Sequence, residues 1–283
     1  MDNILQLFGS KVKSIFFKQG TGSVYDDAPD QSEEGIVTKS KSPSTLALQN
    51  IRAFLPRDVD ITAPDYDVGN IRVAAYIGEH YTSAFPFLVA CRGAALHSEC
   101  VVYGKTGHYA GLKRAAEILQ NLGAIEITRA EDGEQTIYFI LRDSTLLEHR
   151  WITGYTAKLL TKNFQGMPLQ YVLHAHVKSG SVSGSFDALA MSGKTLFALR
   201  LVTLAPHDLF LERLRALAQA LALPSSKIVL PVLPQPGWRH IVETLRARGY
   251  SACELESVSD VLRRLRREEV QRHRMEQQRA ALA

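Results

Sequence analysis

The second half of the chain alternates segments of helical periodicity with short apolar runs, and this order restricts the possible folds more than any other feature. Apolar residues recur at helical spacing in 147–163, 208–221 and 238–248. Strand-like runs occupy 170–178, 182–191, 195–204, 227–233 and 252–255. Because a helix and a sheet each bury one side, this order predicts an α/β fold in which helices cover the faces of a sheet.

Residues 45–145 predict a smaller α+β region before this sheet. Between 110 and 122 the apolar residues form one helical stripe, and Gly123 suits the end of that helix. Two strand-like runs, 125–128 and 136–141, flank a turn and predict a hairpin. The apolar segments 71–77 and 85–91 fit either a helix or a strand.

A helix followed directly by a hairpin resembles the last helix and wing of a winged-helix domain. In such a domain the outward face of the helix contacts nucleic acid, which makes Lys113 and Arg114 candidate nucleic-acid-binding residues. The same arrangement occurs in many α+β proteins, where the helix serves packing alone. Both interpretations stay open.

The other segments differ in composition from these two regions. Residues 1–18 place apolar side chains near helical spacing among three lysines, which predicts an N-terminal arm that docks on the body or touches a membrane or partner. Residues 19–44 are rich in Gly, Ser, Asp, Glu and Pro and predict a flexible linker. The α/β domain then extends over 146–256, and 257–283 forms a basic C-terminal helix.

The composition indicates a folded protein without stable membrane insertion. Of its 283 residues, 46% are hydrophobic and 22% charged, and no apolar run reaches the ~18 residues of a membrane-spanning helix. Asp2 stands where a signal peptide carries Lys or Arg. Three cysteines, Cys91, Cys100 and Cys253, lack metal-ligand spacing and suggest a reducing compartment, so we expect a cytoplasmic protein.

Positive charge is concentrated near the C-terminus. The chain carries a formal net charge of +4, and residues 257–283 hold seven arginines against four acids. Four of these arginines flank one leucine: Arg263, Arg264, Arg266 and Arg267. A basic helix attracts a phosphate backbone or an acidic patch on a partner protein. We therefore expect these four residues to bind nucleic acid, with a solvated helix as the alternative.

Three stretches of the α/β region resemble the motifs of the PD-(D/E)XK nuclease fold. They are Trp151-Ile-Thr-Gly-Tyr155, Ser185-Phe-Asp-Ala-Leu189 and Arg200-Leu-Val-Thr203. The closest likeness is to CRISPR-linked nucleases that join a nucleotide-sensing domain to a winged-helix linker and this nuclease fold. Their motifs are a Trp-Leu-Glu-Glu-Tyr helix, an Asn-Glu-Leu-Asp-Val strand and a Glu-Cys-Lys-Thr strand. The resemblance implies a restriction-endonuclease-like mixed sheet flanked by helices.

Most of the catalytic residues of that family are replaced here. The chemistry needs two or three carboxylates around Mg²⁺ and a Lys that assists the attacking water. Thr153 and Gly154 stand where the helix carries Glu, Arg200 where the strand carries Glu, and Val202 where it carries Lys. Of the set, only Asp187 remains. An arginine places a fixed cation where the metal would bind, so the sequence predicts an inactive site in which Arg200 pairs with Asp187.

Other candidate metal ligands are few. Glu148 lies five residues before Thr153 and therefore on a different face of the helix. His174 and His176 would share one face of a strand, where they could bind a metal together with Asp187. Histidines at the edge of a core are the more common outcome of such a pattern.

Two short motifs predict no site. His97 and Cys100 have His-X-X-Cys spacing without the second pair that a zinc site needs. Residues 104–107, Gly-Lys-Thr-Gly, lack the glycine that opens a Walker phosphate loop. The sequence therefore predicts neither a metal nor a cofactor.

These features predict a catalytically inactive nuclease-fold subunit that binds nucleic acid, partner proteins, or both. The resemblance implies a place in a CRISPR-linked or other antiviral defence complex. Two alternatives stay open. One is a divergent active nuclease that uses Asp187, His174 and His176 with an acid from elsewhere, and the other is a protein–protein scaffold without a nucleic-acid role.

Overall fold

A computed structural model of the protein describes residues 43–64, 68–104, 107–147, 150–203 and 206–282. The predicted arm at 1–18, almost all of the predicted linker and Glu148 lie outside these residues. The described chain begins with helix α1 (Pro43–Phe54) and ends with helix α8 (Val258–Leu282).

A six-stranded mixed sheet forms the centre of the described chain. Its strands are β1 Asp60–Thr62, β5 Leu169–Ser179, β6 Val182–Ser192, β7 Thr195–Leu199, β8 Ile228–Val232 and β9 Ser251–Glu254. They lie in the order β1-β5-β6-β7-β8-β9. The pairings from β1 to β7 are antiparallel, and β7–β8 and β8–β9 are parallel. The α/β class predicted from the alternating pattern is confirmed.

Helices cover both faces of this sheet. Besides α1 and α8, they are α5 Arg150–Asn163, α6 Asp208–Ala220 and α7 Trp238–Ala247. The first, sixth and seventh helices pack on one face around Leu189 and Leu230, and α5 and α8 pack on the other around Ala190 and Phe197. A strand covered on both sides is apolar throughout, as β8 is. Within the described residues, no helix is long and apolar enough to cross a membrane.

The smaller region holds a three-stranded sheet and three helices. Its elements are α2 Ile71–Glu79, α3 Tyr81–Ala90, β2 Glu99–Tyr103, α4 Tyr109–Asn121, β3 Ile125–Glu131 and β4 Thr136–Leu141. The antiparallel strands lie in the order β2-β4-β3. The predicted helix and hairpin are confirmed, and the helix ends where Gly123 takes a φ of +74°. Short 3₁₀ turns occupy Ser144–Leu146, Ser225–Lys227 and Leu255–Ser257.

The two apolar segments that fitted either structure are helices. Asn70 begins α2, because its side chain accepts hydrogen bonds from the backbone N–H groups of Arg72 and Val73. His80 joins α2 directly to α3. Most sides of α3 are apolar, so the spacing of its apolar residues did not distinguish a helix from a strand.

One hydrophobic core joins the smaller region to the large sheet. This shared core extends from Val73 in α2 through Phe139 in β4 and Trp151 in α5 to Leu265 in α8. In addition, β1 pairs with β5 across the predicted boundary at residue 145. The described residues from Pro43 onwards accordingly form a single compact unit.

The seventh strand is shorter than the predicted strand at 195–204. It leaves β6 after Leu199, and the backbone N–H groups of Arg200 and Val202 then donate to the carbonyls of Val229 and Pro231 in β8. The chain thus loses its antiparallel partner β6 and keeps its parallel partner β8. This change occurs at the residues predicted to form the degenerate site.

Candidate functional site

A close helix contact occupies the position of the family's helix carboxylate. A β-carbon at Gly154 of α5 would lie 2.7 Å from the carbonyl oxygen of Val68 and 2.8 Å from the β-carbon of Ala74 in α2. Relief of either contact requires a shift of packed backbone. A glutamate side chain therefore does not fit at this position while the two helices keep their spacing.

Thr153, the other residue at this helix position, contacts the sheet. It is buried, and its hydroxyl oxygen lies 2.5 Å from Nε2 of His174 in β5. His174 has a φ of +48°, a left-handed conformation that is uncommon outside glycine. Burial lowers the pKa of the His174 imidazole, while the charge of Asp187 opposes this shift. The neutral imidazole is therefore favoured beside the threonine.

His174, Asp187 and Arg200 form a row across three neighbouring strands. The register of β5 against β6 places His174 opposite Asp187. The last pair between β6 and β7, Ala188 with Leu199, places Arg200 beside Asp187. The structure therefore brings together Asp187 and Arg200 of the predicted degenerate site, with His174 beside them.

The carboxylate of Asp187 binds a backbone group. Its Oδ2 accepts a hydrogen bond of 2.5 Å from the backbone N–H of Leu201. Leu201 follows the end of β7, where the ladder with β6 has stopped, and a part-buried N–H without a partner is costly. Asp187 thus replaces the carbonyl that β6 no longer supplies.

The Arg200 side chain extends towards α6. Its Nη1 donates to the Ser185 carbonyl, and its guanidinium carbon lies 5.3 Å from the centre of the Phe210 ring. Burial lowers the pKa of the Arg200 guanidinium, the Asp187 charge opposes this, and the Arg213 charge lowers the pKa further. Because an arginine starts from a pKa far above 7, Arg200 stays a cation. The predicted attraction between Arg200 and Asp187 is present, and each residue also holds a backbone group.

Val202 occupies an apolar environment where the family has its lysine. It is buried in the core beneath α6 and α7 and forms an isolated parallel bridge with Val232. Its backbone N–H donates to the Pro231 carbonyl at 2.8 Å. This position serves packing and strand pairing.

The described residues contain no group of three or more His, Cys, Asp or Glu side chains placed to hold a metal ion. His174 contacts Thr153, and His176 is exposed where β5 pairs with β1. These histidines and Asp187 therefore do not form the alternative metal site. His97, in the other candidate motif, has its Nδ1 3.1 Å from Nη1 of Arg142.

Two of the four predicted arginines of α8 bind the body of the protein. Arg266 donates to the backbone carbonyls of Asn163, the last residue of α5, and Gln165, which lies just beyond it. Arg264 donates to the Ser251 hydroxyl at 3.0 Å. These contacts satisfy carbonyls at a helix end and a side chain of β9, so both arginines have structural roles. Arg264 is nevertheless exposed over much of its side chain.

The other two, Arg263 and Arg267, are exposed on the side of the helix away from the body, and Arg274 lies on that same side. At about 100° per residue the three fall within about 40° of one another, opposite the buried residues of α8. We call Arg263, Arg267 and Arg274 the α8 arginine stripe. Arg263 lies 3.2 Å from Asp260 in an exposed ion pair, which contributes only about 0–1 kcal/mol. The sequence did not separate the stripe from the body-facing arginines because the buried face fades near Leu265.

The predicted nucleic-acid-binding residues of α4 differ in their surroundings. The Nζ atom of Lys113 lies 3.3 Å from Asp132 in the β3–β4 turn. Arg114 is exposed on the same helix. Lys113 thus connects the helix to the hairpin, and Arg114 alone stays available to a ligand on this face.

Sequence reasoning missed one basic residue near the row. Arg213 of α6 is close enough for its charge to affect the pKa of Arg200. Arg213 follows Phe210 by three residues, and this spacing places both on one side of a helix. The proximity of Arg213 to Arg200 was not detectable from the sequence, because it depends on how α6 packs on the sheet.

Comparison with known proteins gives low similarity. No protein-family model matches the chain, and no curated protein matches it. Among solved structures, protein VC1899 from Vibrio cholerae is 15% identical with a TM-score of 0.48, over 76% of this chain and 60% of that one. Can2 from Sulfobacillus thermosulfidooxidans in complex with cyclic tetra-adenylate is 12% identical with a TM-score of 0.46, over 77% of this chain and 59% of that one. The chain thus spans about three fifths of the length of each structure.

Proposed function

We propose that the chain is a catalytically inactive subunit with a nuclease-like fold that binds nucleic acid within a CRISPR-linked or other antiviral defence complex. The observation that carries the proposal is the position of Asp187. Its carboxylate accepts a hydrogen bond from Leu201 and lies beside the fixed cation Arg200. The motif resemblance of the sequence supports the link to defence.

Metal-dependent cleavage needs negative charge that this row does not offer. Magnesium binds through several oxygen ligands, and it promotes hydrolysis by stabilising the charge that develops on the reacting oxygens. Here one carboxylate stands between an arginine and an imidazole that contacts a threonine. A divalent cation beside Asp187 would meet the positive charge of Arg200.

The α8 arginine stripe supports the nucleic-acid part of the proposal. Its three side chains are exposed and extend along about 16 Å of helix at ~1.5 Å per residue. Duplex DNA carries one charge per ~1.7 Å of its axis, so a stripe of this length can meet several phosphates. Arginine also binds phosphate through paired N–H donors.

A cleavage assay tests the catalytic half of the proposal. Purified protein is mixed with labelled single-stranded and duplex DNA and RNA in the presence of Mg²⁺ or Mn²⁺. We expect retention of the nucleic acid without cleavage. Metal-dependent cleavage that Asp187→Ala abolishes would overturn the proposal and favour the divergent active nuclease.

A pair of double variants tests the binding half. R263Q/R267Q removes two charges from the stripe, and R264Q/R266Q removes the same charge from the body-facing side. We expect the first to weaken binding similarly for all sequences and to flatten the slope of log affinity against log salt by about 1–2 units, at ~0.9 per lost phosphate contact. The second should leave the slope near that of the unaltered protein and lower thermal stability. Equal slopes in both variants would remove the stripe from nucleic-acid binding.

A protein–protein scaffold is the second candidate function. On α3, Phe85 and Val89 lie one turn apart and are both exposed, and Leu96 is exposed after the helix. Exposed apolar side chains in a group favour a protein contact. If the stripe variant leaves nucleic-acid binding unchanged and F85S/V89S prevents assembly with other subunits, the scaffold function replaces the first proposal.

A further inference from the structure

A small cavity lies between the large sheet and the first turns of α6. Three basic side chains line it, Arg200, His207 and Arg213, together with Phe210 and leucines of α6. Its volume is about 160 Å³. One of the lining leucines, Leu209, is 61% exposed.

The charges at this cavity have one sign. Among the described residues, no carboxylate lines it. Two acids lie nearby: Asp187 accepts from the backbone of Leu201 at 2.5 Å and its charge also acts on Arg200, and Asp208 lies 3.6 Å from Arg248 of the α7 end. The charge of Arg200 is therefore partly balanced from outside the cavity, whereas Arg213 meets no carboxylate among the lining residues.

Arg200 is held in place before any ligand arrives. One of its nitrogens donates to the Ser185 carbonyl, and its guanidinium plane lies near the Phe210 ring. A guanidinium has five N–H donors, so donors remain for a ligand. Burial lowers the pKa of Arg200, Asp187 opposes this, and Arg213 lowers it further. The effect of Arg213 reflects repulsion between the two guanidinium groups. An anion bound between Arg200 and Arg213 would relieve this repulsion.

His207 has one ring nitrogen committed to the protein. Its Nδ1 accepts a hydrogen bond of 3.0 Å from the backbone N–H of Phe210 at the start of α6. In the neutral ring the proton is then on Nε2. The Nε2–H group can therefore donate to a ligand in the cavity.

We propose that this cavity binds a phosphate group, presented as a phosphate monoester, with Arg200 and Arg213 as the charged donors. The cavity is smaller than the ~300–1,000 Å³ of sites that enclose whole drug-sized ligands. The phosphate enters it, and the esterified group stays outside, near the exposed Leu209. This site is separate from the α8 arginine stripe and does not depend on it.

Titration of inorganic phosphate into the full chain, at constant ionic strength, tests the proposal by calorimetry. R213Q is the principal variant, because Arg213 is exposed on α6 and its loss leaves the core intact. R215Q is the matched control: it makes the same charge change on the same helix, and Arg215 does not line the cavity. We expect saturable binding at one site, a loss of about tenfold or more in R213Q, and a change of less than about twofold in R215Q.

Three further ligands identify the source of the phosphate. Tighter binding of 5′-AMP than of ribose 5-phosphate supports the site with a nucleotide as its ligand, and equal binding supports it for phosphate esters in general. Adenosine that binds as well as 5′-AMP would overturn phosphate recognition.

Two results of the phosphate titration overturn the proposal directly: the absence of saturable binding, and equal losses in R213Q and R215Q. The R263Q/R267Q variant should keep the phosphate affinity of the unaltered protein. A failure of the cavity proposal is thereby distinguishable from a failure of the stripe.

Discussion

Asp187 illustrates how a single acidic residue can resemble a catalytic group while serving the backbone. The hairpin of β6 and β7 is short enough that the sequence predicted Asp187 and Arg200 on neighbouring strands, and the structure places them side by side. The hydrogen bond that Asp187 accepts from Leu201 was not predictable, because it depends on the residue at which β7 leaves β6. The same holds for His174, whose left-handed conformation gives no signal in the sequence.

At Asp187, an alanine and an asparagine should differ in their effect on stability. We expect D187A to lower the free energy of unfolding by about 1–3 kcal/mol, because it leaves the part-buried N–H of Leu201 without an acceptor. D187N keeps an acceptor oxygen and should cost less. Urea unfolding of the two variants measures the difference. Equal losses would show that the charge beside Arg200, and not the hydrogen bond, is what the protein needs.

His174 should make the folded protein less stable as the pH falls. Because its pKa is lowered in the folded protein, the unfolded chain binds the proton more readily, and stability falls as pH drops below the ordinary value of about 6.5. His174→Asn tolerates the positive φ and does not titrate. We expect it to flatten the loss of stability between pH 7 and pH 5, measured as urea midpoints. His176→Asn, at the exposed histidine of the same strand, is the control and should keep the original pH dependence.

At the scale of elements, the sequence predicted the helices that have one apolar side and the strands that form short apolar runs. The fourth helix, its hairpin, β5, β6, α6, β8, α7 and β9 were all predicted near their observed bounds. The second and third helices were not, because apolar residues on most sides hide the period. The close contact between α2 and α5 was also hidden, since Gly154 and Ala74 are far apart in sequence.

A methyl group at Gly154 should push α2 and α5 apart. We expect G154A to destabilise the protein by about 1–3 kcal/mol, as overpacked cores do. Gly111 is the matched control, because it lies exposed in α4 and a β-carbon there meets nothing within 4 Å. G111A should therefore stabilise by about 0.5–1 kcal/mol through helix propensity. Thermal unfolding of both variants checks the opposite signs, and a neutral G154A would contradict the packing argument.

For the whole molecule, the main difference from the sequence prediction is the joining of its two regions. Composition and motif order divided the chain at residue 145, but β1 pairs with β5 across that boundary and the shared core extends to both sides of it. Sequence patterns report local periodicity, whereas a pairing between residues 60 and 178 is decided by tertiary packing. The fold class was accordingly predictable, whereas the pairing of β1 with β5 was not.

The shared core should make the described body unfold in one transition. The two tryptophans report on different sides of the large sheet, Trp151 in the shared core and Trp238 against the opposite core. In W238F, the fluorescence of Trp151 should give the same urea midpoint as far-UV circular dichroism, as it does for a two-state protein. Two separated midpoints would show that the smaller region and the large sheet unfold independently.

The shared core also determines when this protein can complete its folding during synthesis. Helix α5 presents an apolar face that α8 covers with Leu262 and Leu265, and these leucines are translated about 100 residues after the end of α5. At ~5–20 residues per second, that interval lasts roughly 5–20 s. Throughout it, the nascent chain carries an uncovered apolar surface, which is the kind of surface that chaperones bind and that promotes aggregation. Slow translation or low growth temperature lengthens this exposure, so the yield of soluble protein in a cell depends on how soon α8 is made.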